Sequence, residues 1–224
     1  FYKKLIENPQ NPVSVYLKTR GINDEDVKKF RIGASPDAWD EALKFLSKEG
    51  FNENEMIDSG IILRNPENGK IYDRFRNRLI FPICNEQGKV VGFSARTIDP
   101  DAKEAKYVNS PETPIFKKSR ILYGLDKAKD GIREKGFAIL CEGQLDVIAM
   151  HKGGFKNAAA PQGTAFTEEQ ARILKRYVNK IVICFDADDA GKKAALRAME
   201  ILLSIDVEVF VMSLPDNEDT DSLL

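Results

Sequence analysis

From residue 137 onward the chain alternates apolar, strand-like runs with helix-patterned stretches. Strands at 137–142, 157–160, 180–185 and 207–212 are separated by helices at 144–152, 167–177 and 190–204. Such alternation, with strands apolar throughout, predicts a mainly parallel sheet covered by helices on both faces. Right-handed crossovers then carry the carboxyl ends of strands 137–142, 180–185 and 207–212 to one edge. Each of those ends is acidic: Glu142 after the first, Asp186 and Asp188 after the second, and a loop at 214–221 that includes Asp219 and Asp221 after the third. Open α/β sheets bind ligands at this edge, and ligand sets made only of oxygen favour Mg²⁺ or Mn²⁺. One acidic loop alone is an ordinary solvated turn. Three converging on one edge point to a metal site, with Gly143 and Gly191 allowing close backbone approach.

The preceding half has a different period. Pro12 and Gly21 bracket a helix at 12–20, Asn23 caps a second through Phe30, and helices follow at 37–49 and 53–58, with Trp39 expected in the core of this helical cap. Residues 78–96 read as a β-hairpin turning at 85–88. The stretch 99–120 has no clear period, and a break is expected at 121–136. The organisation expected is therefore α/β, α+β overall. A mixed helical and β-hairpin subdomain at 1–125 precedes the parallel-sheet domain at 126–224.

Net charge of −1 conceals an asymmetry: residues 1–130 carry 23 Lys+Arg against 20 Asp+Glu, whereas 131–224 carry 11 against 15. The basic bias concentrates at 66–120, with 11 basic residues against 7 acidic. That run is either a phosphate-facing surface or a solvated, salt-bridged face. Cys84, Cys141 and Cys184 lie in or beside apolar strands without CxxC spacing, which suits buried thiols in a reducing compartment. No run approaches the roughly 20 apolar residues of a membrane span and no leader opens the chain, so a soluble protein is expected. The start at Phe1 and the stop at Leu224 suggest a piece of a longer protein. Phosphate-loop and nucleophile-elbow motifs are absent, and the Asp-x-Asp comes too late for a haloacid-type phosphohydrolase. His151, the single histidine, cannot by itself make a zinc site, and a surface or capping role is expected for it.

Glu142-Gly-x-x-Asp146, Gly163-Thr164-Ala165, Asp186-x-Asp188-x-Ala190-Gly191 and the late acids resemble the Toprim fold shared by primases, type IA and type II topoisomerases and some nucleases. The upstream half narrows the resemblance. Tyr72-Asp-Arg-Phe-Arg-Asn-Arg-Leu-Ile-Phe-Pro-Ile83, Gly92-Phe-Ser-Ala-Arg96, and Lys106-Tyr-Val-Asn-Ser-Pro-Glu-Thr113 with Phe116-Lys-Lys118 are similar to the catalytic core of bacterial replicative primases of the DnaG type. The resemblance covers nearly the whole chain. Another Toprim enzyme, or a non-catalytic nucleic-acid-binding Toprim module, stays as the alternative.

The resemblance implies DNA-directed synthesis of short RNA primers from ribonucleoside triphosphates by nucleotidyl transfer. It makes Glu142, Asp186 and Asp188 catalytic and assigns Glu142, Asp186, Asp188, Asp219 and Asp221 to two or more Mg²⁺ or Mn²⁺ ions. Whether Glu142 ligates metal or accepts a proton is left open. Asp146 becomes a supporting acid. Arg20, Arg96, Lys106 and Lys118 fall on a ridge for single-stranded template, and Arg74, Arg76 and Asn109 fall nearer the incoming nucleotide. Tyr72, Phe75, Tyr107 and Phe116 are candidates for base stacking, although core packing suits Phe75, Phe81, Phe93 and Phe116 better. The family's zinc is confined to an N-terminal domain for which no Cys/His set occurs here, and its replicative-helicase contact to a C-terminal domain beyond Leu224. A monomeric core in the bacterial cytoplasm at the replication fork, with no membrane contact, completes the expectation.

Overall fold

The structure is a computed structural model describing residues 1–8, 10–163 and 165–212. It divides into two compact units, Phe1–Ile83 with Val91–Phe116, and Cys84–Val90 with the chain from Lys117 onward.

The first unit opens with three short helices, α1 (Tyr2–Ile6), α2 (Pro12–Thr19) and α3 (Asp24–Phe30). Their ends follow from local chemistry. The Asn11 side chain accepts from the Val13 amide with Pro12 in the first turn, and Asn23 and Asp26 form a reciprocal capping box. Together these satisfy amides that a helix start leaves unpaired. Strand β1 (Gly33–Ser35), helices α4 (Glu41–Lys48) and α5 (Glu53–Asp58), the antiparallel pair β2 (Ile62–Arg64) and β3 (Ile71–Asp73), and strands β4 (Arg78–Cys84), β5 (Val90–Thr97) and β6 (Tyr107–Asn109) follow. A four-stranded sheet has the order β1-β4-β5-β6, with β1 antiparallel to β4 and β6 antiparallel to β5. Phe75, Ile80 and Ala95 are buried on it, with Phe1 and Phe93 packed edge-on against Phe75. Phe81 and Phe116 are fully buried.

The helix expected at 37–49 is α4, which starts four residues later than the sequence pattern suggests. Buried Asp73 on β3 accepts from the amides of Ala42 and Leu43 at 2.7 and 3.0 Å, so a carboxylate distant in sequence chooses where α4 begins. Trp39 is left ahead of the helix and is 64% exposed, which overturns its expected place in the core.

In the second unit, β7 (Leu122–Tyr123) and α6 (Leu125–Lys135) precede β8 (Ala138–Cys141), α7 (Gln144–Lys152), β9 (Ala158–Pro161), α8 (Glu168–Lys175), β10 (Lys180–Cys184), α9 (Asp189–Ser204) and β11 (Glu208–Val211). The sheet order is β11-β10-β8-β9-β7, parallel except where β7 runs antiparallel to β9. The expected break at 121–136 is instead a strand and a helix. Leu125, Ala128 and Ile132 are the buried stripe of α6 within a highly charged window, and Gly124 and Gly136 at its ends take φ of +79° and +72°, which suits residues without a Cβ. Leu140, Ile181, Ile183, Leu174 and Leu202 belong to one buried cluster, each aliphatic side chain contributing about 1.5–3 kcal/mol on burial.

All three cysteines are buried and none is in a disulfide. His151 is also buried, at 4% exposure, with Nε2 3.1 Å from the Ala158 carbonyl oxygen. The surface or capping role expected for it is thereby corrected: it ties α7 to β9. Among the described residues no helix is long and apolar enough to cross a membrane.

Candidate functional site

The acidic edge of the second unit is assembled by strand register. β8 and β10 are adjacent and parallel with Cys141 opposite Cys184, so the chain emerges from both strands at the same level. Glu142 is the next residue on one strand, and Phe185-Asp186 follow on the other. The Asp186 amide donates to Glu142 Oε2 at 3.3 Å, bringing two predicted residues from 44 positions apart into contact. Asp188 is the N-cap of α9, its Oδ1 accepting from the Gly191 amide at 2.7 Å. Asp146 closes the other turn by accepting the Gly143 amide at 2.8 Å, which holds the backbone immediately after Glu142.

Gly191 has a steric reason to be glycine. A Cβ there would stand 2.2 Å from the Asp186 carbonyl oxygen, so α9 starts in direct contact with the turn carrying the acids. Gly143 is less constrained, since a Cβ would meet nothing nearer than Asp146 Oδ2 at 3.5 Å. Burial pushes the Cys141 thiol well above its usual range, and nearby Asp146, Cys184 and Asp186 add to the rise. Cys141 is therefore a protonated packing group beside the acids, unsuited to nucleophilic attack.

Glu142 and Asp188 are exposed and Asp186 is half-buried. Their carboxylates are hard oxygen donors, a chemistry that fits Mg²⁺ or Mn²⁺ and disfavours soft metals. Among the described residues no three acids or other ligating groups already form a metal cage. The other two expected ligands, Asp219 and Asp221, lie outside the described residues, as does Thr164 of the Gly163-Thr164-Ala165 run.

The basic candidates of the first unit are organised by aromatic rings and by β6. Arg96 and Tyr107 are cross-strand partners, and Arg96 Nη1 donates to the Tyr107 hydroxyl at 3.1 Å. The Arg96 guanidinium lies 5.5 Å from the Tyr107 ring and 5.4 Å from Tyr16, whose ring is also 5.5 Å from the guanidinium of Arg20. Tyr16 thus gathers two predicted template arginines, and exposed Lys106 adjoins Tyr107. Arg74 donates from Nε and Nη2 to the Asn109 carbonyl at 3.0 and 2.8 Å. Burial lowers the Arg74 pKa from its ordinary value. Arg76 donates to the Asp73 carbonyl at 2.6 Å and lies over Trp39, 4.0 Å from its ring. Arg78, inside the same basic run, is almost wholly buried and paired with Glu104 at 2.8 Å, so it is salt-bridged but neither solvated nor part of a phosphate-facing surface.

Lys118 belongs to the second unit, where its carbonyl accepts from Gln170 Nε2 at 2.9 Å. Gln170, fully buried, also donates to the Ile121 carbonyl at 2.9 Å and caps α8 reciprocally with Thr167. Sequence reasoning passed over Gln170, Asp73 and the exposure of Trp39. Only the Thr167-x-x-Gln170 capping spacing was a usable signal.

Comparison with known proteins identifies the lineage. Residues 1–129 match the model of the DNA primase catalytic core, N-terminal domain. The chain belongs to the DNA primase catalytic core family. Residues 139–224 match a Toprim-like model. The chain is 43% identical over 215 residues to the DNA primase of Deinococcus radiodurans, covering 95% of this chain and 37% of that one. It superposes on the RNA polymerase domain of the Mycobacterium tuberculosis primase DnaG with a TM-score of 0.91 at 35% identity, covering 100% of this chain and 74% of that one. A DnaG primase catalytic domain solved bound to single-stranded DNA gives a TM-score of 0.87 at 37% identity, covering 100% and 72%. The chain spans a little over a third of the length of the curated relatives it matches. Toprim primases generally use divalent metal ions.

Proposed function

We propose that this chain is the catalytic core of a bacterial DNA primase, a nucleotidyltransferase that makes short RNA primers on single-stranded DNA from ribonucleoside triphosphates. The observation that carries the reading is the meeting of Glu142 with Asp186 at the carboxyl ends of adjacent parallel strands. Membership of the primase core family supports it.

In this reading Glu142, Asp186 and Asp188, joined by Asp219 and Asp221, hold two or more Mg²⁺ or Mn²⁺ ions. Such ions, when bound, lower the pKa of a primer 3'-hydroxyl and screen the charge of the triphosphate and its pyrophosphate leaving group. The chain's own part is placement. The Gly191 amide orients the Asp188 carboxylate, and Asp146 fixes the backbone after Glu142. The exposed acidic edge repels the polyanionic substrate until its charge is compensated.

Arg74, Arg76 and Asn109 receive the nucleotide in this reading, while Arg20, Arg96, Lys106 and Lys118 follow the template phosphates. Contacts of this kind supply affinity that falls with salt and little sequence discrimination. Zinc-dependent template choice and helicase contact belong to domains other than the two matched here, and the setting is the cytoplasmic replication fork.

The deciding experiment measures ribonucleotide incorporation on single-stranded DNA carrying a pre-annealed RNA primer, with Mg²⁺ or Mn²⁺, for the chain and for Glu142→Gln. Extension by the chain that disappears in the variant is the expected result. Absence of extension, accompanied by nicking or relaxation of supercoiled DNA, would transfer the chain to another Toprim chemistry.

A further inference from the structure

Trp39 is the only tryptophan in the chain, and it stands in water. An indole is among the largest apolar surfaces a side chain can bury, so one held rigidly at the surface calls for an explanation. Its turn is tightly fixed. The Asp73 amide donates to the Trp39 carbonyl at 2.7 Å, and the Asp73 carboxylate binds the first amides of α4 just beyond. The Arg76 guanidinium, itself anchored on the Asp73 carbonyl, lies 4.0 Å from the centre of the indole. Tyr72 meets the indole edge-on, with ring centroids 5.7 Å apart at 61°. One buried residue and its strand therefore hold the turn, the cation and the second ring in a single arrangement.

Trp39 and Arg76 form part of the wall of a cleft of about 600 Å³ within the first unit. Four basic and four acidic side chains line it, and one of the basic ones, Arg78, is already paired with Glu104. A wall so balanced in charge suits the base end of a nucleotide better than its phosphates. It suits a flat, uncharged ring whose edge carries both donors and acceptors, because Asp37, Asp99 and Asp101 accept from amino groups and the guanidinium of Arg74 donates. A ring of that description is a nucleobase, and an aromatic face backed by arginine stacks bases without regard to sequence.

We propose that Trp39, backed by Arg76 and Tyr72, is a stacking platform for one nucleobase. The inference rests on the reading of this chain as a nucleic-acid-binding primase core and adds to it a residue and a subsite. The base belongs either to a single-stranded DNA or to a ribonucleoside triphosphate, and the chemistry of recognition is shared.

Because there is a single tryptophan, its emission reports on the platform alone. The test titrates the 224-residue chain with a mixed-sequence single-stranded oligodeoxynucleotide, an abasic oligodeoxynucleotide of equal length, and GTP or ATP. Binding is followed separately by the anisotropy of a labelled oligonucleotide. The expected result is quenching of Trp39 by the base-bearing strand or by the nucleotide, no quenching by the abasic strand, and about 5- to 100-fold weaker binding of the quenching ligand by Trp39→Ala. Trp39→Phe keeps an aromatic face and should retain most of the affinity, which separates stacking from a folding defect. Quenching by the DNA alone assigns the platform to the template strand, and quenching by GTP or ATP alone assigns it to the incoming nucleotide. Normal anisotropy with unmoved emission for every ligand, and Trp39→Ala binding like the wild type, would overturn the platform while leaving template binding intact. No anisotropy change in the wild type would overturn the template reading, and silent emission with nucleotides as well would remove the platform with it.

Discussion

Replacing Gly191 by Ala sets two effects of opposite sign against each other. Gly191 is the third residue of α9. Helix propensity alone makes Ala more stable than Gly there by about 0.5–1 kcal/mol. The added methyl, however, would lie 2.2 Å from the Asp186 carbonyl oxygen, 3.0 Å from its carbon and 3.1 Å from its nitrogen. These are backbone atoms and cannot rotate aside, so the turn or the helix must retreat by about 1 Å to reach normal contact. Overpacking of this kind costs about 1–3 kcal/mol, and a backbone neighbour places it at the upper end. The clash therefore outweighs propensity, leaving a net loss of about 2 kcal/mol. For a chain of this size that is a fall in Tm of about 4–8 °C.

Under the proposed function, catalysis should suffer more than stability, because the displaced turn carries Asp186 and Asp188, the acids that reading assigns to the metal ions. A shift of about 1 Å in such groups can cost about 100-fold in rate. Thermal unfolding and extension of a pre-annealed primer, measured on the same preparation, report the two quantities. A Gly191→Ala variant with Tm equal to or above that of the wild type, and with undiminished incorporation, would show that α9 does not rest on the Asp186 backbone in the way described.

Two further outcomes follow from the supporting residues. Gln170→Leu preserves apolar volume but strips partners from the carbonyls of Lys118 and Ile121 and from the Thr167 amide, and unsatisfied buried groups cost about 1–3 kcal/mol each. Urea unfolding should show a loss of about 3 kcal/mol or more, and an unchanged midpoint would mean that water satisfies the segment at 118–121 just as well. Burial is the main cause raising the Asp73 pKa above 3.8, partly offset by its bonds to Ala42 and Leu43. The folded state then binds the Asp73 proton more tightly than the unfolded state. Its contribution to stability is fully present below pH 3.8 and is lost as pH rises through the raised folded value. The Tm of the wild type relative to Asp73→Asn should accordingly decline as pH rises from about 3.8, whereas a difference that grows with pH would contradict the burial argument.

Much of the second unit was legible because its strands and helices announce themselves by period. The runs read as strands at 137–142, 157–160 and 180–185 have few other stable uses than buried strands, and in the first unit the Asn23 cap is local chemistry. The acidic ends of β8 and β10 were readable for the same reason: in a parallel sheet, strand direction alone sends Glu142 and Asp186 to one edge. The helix α6 was missed because its three buried positions are diluted by charge and its boundaries depend on two glycines at positive φ.

By itself the sequence determined the sheet, the acidic edge and the arginine-rich run, since these depend on residue type and spacing within short windows. Tertiary structure decided what depends on partners distant in the chain. Asp73 chooses the start of α4 and leaves Trp39 in water beneath Arg76. Tyr16 joins Arg20 to Arg96, and Gln170 holds the backbone of Lys118. A buried polar group must find its hydrogen bonds wherever the fold places them, and no local pattern in the sequence reveals which distant atom will supply them.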